Sequence, residues 1–308
     1  MAAAQSSNTV HVIVNPISGG GAAARRMRSE FCERLSGIGF HVAIHRTSGP
    51  GDAAVLARQC CERPCHVLVV AGGDGTVREA VSGMPRAGVP MLVLPAGTEN
   101  ILAKYLGTTG RAEWLCEVLR ANKQIPFDMA TMNGRPFLLM AGVGFDADVV
   151  RRLAAHRSGP ITRLDYFGPI WRTFWGFRHP ALRVETDGEL LTEGRGPAYV
   201  GIVPRYAVGL RILDRALPND GLLDVCVLRC SGRLSLSHHA MRVLLRRHTR
   251  SSEVTYRQAR RVRITSNEPM GIQLDGDWAG FGPAEFGINQ NAVRFLVPPD
   301  WAPNASLA

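Results

Sequence analysis

The sequence predicts an α/β fold in two parts: an N-terminal parallel-sheet, three-layer domain and a C-terminal β-rich sandwich domain. Three observations carry this expectation. Through the first third, short apolar runs, polar or glycine-rich loops and helical stretches alternate, which is how strands joined by right-handed crossovers read. Near Phe127 the texture changes to short strands separated by turn residues. Length allows both parts, since 308 residues exceed the roughly 150 of one domain. The expected domains are residues 9–125 and 126–298, followed by a loose tail at 299–308.

Taken in order, residues 10–14 form the first strand and end in Asn15, Pro16, Ile17, Ser18, Gly19 and Gly20, with a helix over 22–35. A second strand at 40–45 leads through Thr47, Ser48 and Gly49 to a helix at 53–61. The apolar run 66–70 reaches Ala71, Gly72, Gly73, Asp74, Gly75 and Thr76, and a helical pattern begins at Val77. The fourth unit is a strand at 91–94, then Gly97, Thr98, Glu99 and Asn100, then a helix at 101–106. In parallel sheets the loops after the strands share one edge, where ligands bind.

In the second part, strands at 127–131 and 136–142 flank Asn133-Gly134, and a second hairpin at 182–191 surrounds Asp187-Gly188. Further strands are expected at 198–203, 222–228, 260–265, 271–275 and 293–297. Helices are expected at 147–156, 163–177 and 234–247.

The loops carry the chemistry. A glycine-rich turn opening a helix presents free backbone N–H groups and the positive end of the helix dipole, which suits an anion. Asp74 within it would repel a phosphate unless a cation or hydroxyl stood between them, so the loop points to a metal-bound nucleotide. Ser18, Thr47, Thr76 and Thr98 offer hydroxyls for phosphate or ribose, or serve as helix caps, while Asn15 and Asn100 are placed to fix the loops. Leu217 to Asp224 combines carboxylates with a tight turn, either an ordinary Asp-Gly turn or a seat for a hard cation such as Mg²⁺. Asp275, Gly276 and Asp277 put two acids around one glycine, a turn that could also supply a base.

A formal net charge of +10 favours anionic partners. No nucleic-acid reading module accompanies it. The seven cysteines, with only a short polar segment ahead of the first strand, read as reduced thiols of a cytoplasmic protein. The cluster Cys60, Cys61 and Cys65 lacks the matching second pair of a zinc site. No apolar run approaches the roughly 18 residues of a spanning helix, so any membrane contact is peripheral. The aromatic and basic stretch from Ile170 to Arg178 reads as a helix packed on the sandwich, with a lipid-facing role as the alternative. Arg242, Arg246, Arg247, His248 and Arg250 form a second basic cluster that would favour an anionic membrane. Oligomeric state has no signature here.

With these motifs assembled, the chain resembles the diacylglycerol kinase-type lipid kinases, a family that includes sphingosine kinases and is related to NAD kinases. The resemblance runs in order through Asn15-Pro16 with Ser18-Gly19-Gly20, Gly72 to Thr76, Pro95 to Asn100, Phe145-Asp146-Ala147, Asp220 to Asp224, and Asp275 to Asp277. It implies ATP as phosphoryl donor, Mg²⁺, and a lipid alcohol as acceptor. It places Asp74 near the metal-bound phosphates, Gly72, Gly73, Gly75, Thr76, Gly97 and Asn100 in the nucleotide loops, and Thr47 and Thr98 on the nucleotide. It gives a structural Mg²⁺ to Leu217, Asp220 and Leu222, through carbonyl and carboxylate oxygens. Asp277 stands where the family usually has Glu, as proton acceptor for the lipid hydroxyl, and Asp128 resembles an acid of the same base network. The third loop departs from the pattern, with Glu99-Asn100-Ile101-Leu102 where Asn-Asp-Phe is common. An NAD kinase and a non-catalytic ATP-binding regulatory protein are the alternatives.

Overall fold

A computed structural model describes residues 8–18, 22–85, 88–155, 165, 167–176, 179–205 and 210–303. Gly19 and Gly20, and the ends of the two helices expected at 147–156 and 163–177, lie outside the described residues. The chain divides into two compact units, residues 1–127 with 291–308, and residues 128–290.

The first unit runs β1 (Thr9–Val14), α1 (Ala22–Gly37), β2 (His41–Arg46), α2 (Asp52–Cys61), β3 (Val67–Gly72), α3 (Asp74–Gly83), β4 (Met91–Pro95), α4 (Ile101–Tyr105) and α5 (Ala112–Ala121). Its strands are parallel in the order β2-β1-β3-β4. Alternation along each strand feeds two helical layers. Val10, Val12, Val14, Val67, Val69 and Ala71 pack with Phe31 and Leu35 of α1 and Leu115 and Leu119 of α5. The other face meets α2 and α3, which approach so closely that a Cβ on Gly83 would lie 2.0 Å from the Ala54 carbonyl oxygen. The predicted three-layer α/β arrangement is therefore present. Helix α5 was not among the expected elements, although Ala112, Leu115, Cys116, Val118 and Leu119 give it a buried stripe.

The chain passes to the second unit along β5 (Gln124–Met132) and continues through β6 (Arg135–Phe137), β7 (Met140–Val143), α6 (Phe145–Ala155), α7 (Phe167–Gly176), β8 (Ala181–Thr186), β9 (Glu189–Arg195), β10 (Ala198–Gly201) and β11 (Leu223–Leu228). It then forms α8 (Arg233–Leu244), β12 (Val254–Ala259), β13 (Val262–Thr265), β14 (Gly271–Leu274), β15 (Asp277–Phe281) and β16 (Ala284–Leu296), whose end returns to the first unit. One antiparallel sheet has the order β12-β11-β10-β7-β14-β15. In a second, β13 lies between β8 and β16, and β9 pairs with β8. Both predicted hairpins form, with Asn133 and Gly134, and Asp187 and Gly188, at positive φ.

Four expectations change. The strand expected at 136–142 is two strands, β6 and β7, in different sheets, because the Asp275 carboxylate takes the N–H groups of Leu138, Leu139 and Met140 between them. The strand expected at 293–297 is the end of β16, whose middle, Asn289, Gln290 and Asn291, is polar and turns to positive φ at Asn291. The tail is tied down as far as its described part extends. Lys123 Nζ donates to the carbonyls of Pro299 and Trp301, and the Trp301 indole donates to the Tyr105 carbonyl. Finally, α7 packs on α6, where Thr173 donates to Asp148, and leaves its aromatic face uncovered: of its residues only Thr173 is buried, while Phe167 is 73% exposed and Trp171 63%.

Candidate functional site

In the first unit the loops after β1, β3 and β4 are bonded to one another. Asn15 donates through Nδ2 to Thr76 Oγ1 at 3.0 Å and through its backbone to the Ala71 carbonyl, while its Oδ1 accepts the N–H groups of Ile17 and Ser18. Gly72 ends β3, Gly73 is extended, and Asp74, Gly75 and Thr76 already belong to α3. The predicted loop is thus a one-residue joint at a helix N-terminus. Side chains are excluded there: a Cβ on Gly72 would meet the Thr76 side chain at 2.6 Å, and one on Gly97 would meet Gly73 Cα at 2.7 Å. Thr47 is buried, its N–H donates to the Val14 carbonyl, and Thr98 is exposed. Asn100, at positive φ, closes the third loop by exchanging side-chain hydrogen bonds with the N–H and C=O of Gly97.

Asp74 is bonded to the start of the next helix. Its Oδ2 accepts the Ile101 N–H at 2.9 Å and its Oδ1 the Leu102 N–H at 3.0 Å. It thereby satisfies two of the orphan donors at the start of α4. Burial pushes this carboxyl above the usual range, against the pull of those two amides. Asp74 is the brace between the second and third loops, and each of its oxygens keeps a further lone-pair direction.

In the second unit Asp128 is buried, donates its N–H to the Pro218 carbonyl at 2.6 Å and accepts the Gly221 N–H through Oδ2 at 2.8 Å. Both contacts hold the turn Leu217 to Leu222. Gly221 is required by its positive φ and by Gln290, whose side chain would lie 1.6 Å from a Cβ there. Asp220 accepts the Leu222 N–H at 2.9 Å through Oδ1. Its second oxygen and the carbonyls of Leu217 and Leu222 are oxygen donors of the hard kind that Mg²⁺ takes. The residues present fit that ion. Nearby Asp224 is fully buried and accepts from Tyr256 Oη at 2.5 Å and Gln258 Nε2 at 3.2 Å. Burial, reinforced by the charge of Asp220, raises its carboxyl to about 6.

The structure separates the two acids of the Asp275-Gly276-Asp277 turn. Asp275, at positive φ, accepts three backbone N–H groups at 2.9–3.1 Å and is committed to the chain. Asp277 opens β15 and is exposed. Gln273, fully buried, accepts the Gly276 N–H at 2.8 Å and donates to Asp146 Oδ2 at 2.7 Å. Asp146 of the Phe145-Asp146-Ala147 motif is therefore wired to the turn that carries Asp277. Gln273 and Tyr256 were missed in the sequence because each acts through a neighbouring strand or turn, and β12 was not expected at all.

Exposed apolar and basic side chains cluster on α7 and α8. Phe174, Trp175, Arg233 and Leu236 line a cavity of about 330 Å³, with Arg233 4.8 Å from the Trp175 ring centre. Leu234, Met241, Leu244, Arg246 and Arg247 are exposed on or just after α8. His248 leaves the predicted basic cluster: it is fully buried against the Ile212 carbonyl. Among the described residues no helix is long and apolar enough to cross a membrane.

Comparison with known proteins covers nearly all of the chain. Residues 9–132 match the family model of the diacylglycerol kinase catalytic domain, and residues 140–297 that of the YegS C-terminal NAD kinase beta sandwich-like domain. A diacylglycerol kinase of Bacillus subtilis (strain 168) is 26% identical over 301 residues, covering 94% of this chain and 97% of its own. One from Staphylococcus carnosus (strain TM300) is 24% identical over 295 residues, covering 94% and 95%. The crystal structure of a diacylglycerol kinase from Bacillus anthracis str. Sterne superposes with a TM-score of 0.71 at 18% identity, over 95% of this chain and 97% of that one. Another structure from that organism reaches 0.79 at 20% identity, over 97% and 99%. At these identities the superpositions speak to the fold.

Proposed function

The chain belongs to the diacylglycerol kinase-type lipid kinase family, and from that premise we propose that it transfers the γ-phosphoryl group of ATP to the hydroxyl of a lipid such as diacylglycerol or a sphingoid lipid. The observation that carries this reading is the bonding of the strand-end loops into one glycine-lined edge by Asn15 and Asp74. Phosphoryl transfer asks mainly for positioning and charge stabilisation, and a braced edge of backbone N–H groups supplies the first. Ser18, Thr47 and Thr98 add hydroxyls for the nucleotide. Leu217, Asp220 and Leu222 would hold, through carbonyl and carboxylate oxygens, a structural Mg²⁺, which when bound would fix the turn that carries them. Asp277 accepts the proton of the lipid hydroxyl as its oxygen attacks phosphorus and the bond to the ADP leaving group breaks. Asp74 and Asp128 act through the loops they hold.

The same reading assigns the exposed face of α7 and α8 to peripheral contact with an anionic membrane, the aromatic rings entering the interface and the arginines meeting lipid phosphates. Binding to phosphatidylglycerol vesicles that weakens with salt supports this; binding indifferent to both lipid charge and salt counts against it.

The test of the reaction is a panel of Mg²⁺-dependent assays with labelled ATP and mixed micelles of diacylglycerol, sphingosine, ceramide or undecaprenol, with NAD alongside. A labelled lipid phosphate is expected. The likeness of the C-terminal domain to an NAD kinase sandwich makes NAD the informative rival: a labelled NAD product with no lipid product replaces the lipid reading. ATP binding without transfer to any acceptor would leave a regulatory nucleotide binder.

A further inference from the structure

The first unit carries a cluster that phosphoryl transfer does not use. Strand β1 pairs with β2 so that Ile13 stands opposite His45. Alternation then puts His11 and His45 on one face, opposite to the face on which Val10, Val12 and Val14 enter the core with α1 and α5. Helix α2 covers the histidine face and brings buried Cys60 to it. One ligand atom from each of His11, His45 and Cys60 lies within 4.8 Å of the other two. His11 Nδ1 and His45 Nε2 are 3.0 Å apart, and the buried His11 ring has the Pro64 carbonyl beside it as a hydrogen-bond acceptor.

We propose that His11, His45 and Cys60 bind a zinc ion. Two imidazoles and a thiolate form the borderline-soft nitrogen and sulfur set that zinc prefers to magnesium or calcium. Zinc–ligand bonds of about 2.0–2.3 Å at tetrahedral angles set ligand atoms about 3.3–3.6 Å apart. The two rings therefore open by a few tenths of an ångström as the cation replaces the proton they share. Burial lowers the basicity of both imidazoles, leaving the neutral rings that metals bind. The cysteine cluster at Cys60, Cys61 and Cys65 has no second pair along the sequence; strands β1 and β2 supply one. The ion would tie β2, the edge strand of this sheet, to β1 and α2. The site stands independently of the reaction proposed above.

The test uses the full chain without a polyhistidine tag, stripped with a chelator and titrated with Zn²⁺ against a chromophoric competitor, then with Co²⁺ as a spectroscopic probe. One Zn²⁺ per chain is expected, with a cobalt–thiolate charge-transfer band and a rise in melting temperature. Cys60→Ser should remove the band, and both Cys60→Ser and His45→Gln should weaken Zn²⁺ binding at least about tenfold, while Cys61→Ser keeps it. His45 is only half-buried, so His45→Gln carries the test if Cys60→Ser does not fold. Less than one ion per chain, or equal affinity in wild type and both ligand variants, overturns the proposal.

Discussion

Asp74 Oδ2 accepts the Ile101 N–H at 2.9 Å, so the acid of the second loop sets the position of the third. The neighbouring bond from Leu102 to Oδ1 makes the grip bidentate. Asp74→Asn turns one acceptor into an NH₂ group facing an N–H donor. We expect it to lower phosphoryl-transfer activity by at least about a hundredfold, as small displacements of reacting groups do. It should also cost about 1–3 kcal/mol of stability through the unsatisfied amide. Steady-state kinetics beside urea unfolding separates these effects; loss of activity at unchanged stability would show that the brace carries no energy.

Asp128 holds the Leu217 to Leu222 turn through the Gly221 N–H and the Pro218 carbonyl. Removing the carboxylate in Asp128→Ala leaves the first donor buried and unpaired. The expected result is a rise of about ten- to a hundredfold in the Mg²⁺ concentration needed for half-maximal rate, the usual cost of losing a support behind a metal ligand. The ATP requirement at saturating Mg²⁺ should change much less. Mg²⁺ titrations at fixed ATP provide the comparison.

These two acids also show what a linear sequence exposes. The strand-end loops were legible because glycine, Asn and Asp at strand–helix junctions have local steric causes. The division into a parallel α/β part and a β-rich part was legible from periodicity. What Asp74 and Asp128 touch was not, since Ile101, Leu102 and Gly221 are called upon only through backbone N–H groups, which leave no mark on residue type. Strand β12 and the first half of β16 escaped for a related reason: Arg257, Gln258, Asn289 and Gln290 break the apolar alternation. Tyr256 and Gln258, which face Asp224, were lost with them.

The Asp224 carboxyl is raised to about 6 from 3.8, chiefly by burial. Between those values the native chain holds a proton that the unfolded chain has released, so stability falls as pH rises through this window. The full effect is on the order of 3 kcal/mol. Asp224→Asn keeps the size of the side chain and removes the titration. In EDTA, its unfolding free energy should lose that decline between pH 4 and 6, as read by urea denaturation across the range. A decline that persists unchanged in the variant would place its origin in another group.

Asp275 and Asp277 share a turn but not a task, and the pair tests the proposed base. Asp275 accepts three N–H groups, so Asp275→Ala leaves them without their acceptor and should cost several kcal/mol in total, at about 1–3 kcal/mol for each donor left unsatisfied. Asp277 is exposed at the start of β15, and Asp277→Asn should leave stability within about 0.5 kcal/mol, as at most surface sites. The same substitution should lower kcat about 10²–10⁴-fold with little change in the KM for ATP if Asp277 takes the hydroxyl proton. Asp277→Glu restores the acid with one more methylene and should retain far more activity than Asn. Kinetics and unfolding on all three variants decide it: a stable Asp277→Asn with undiminished kcat removes Asp277 from proton transfer, and equal loss in Asn and Glu shows that placement, not acidity, is what the position supplies.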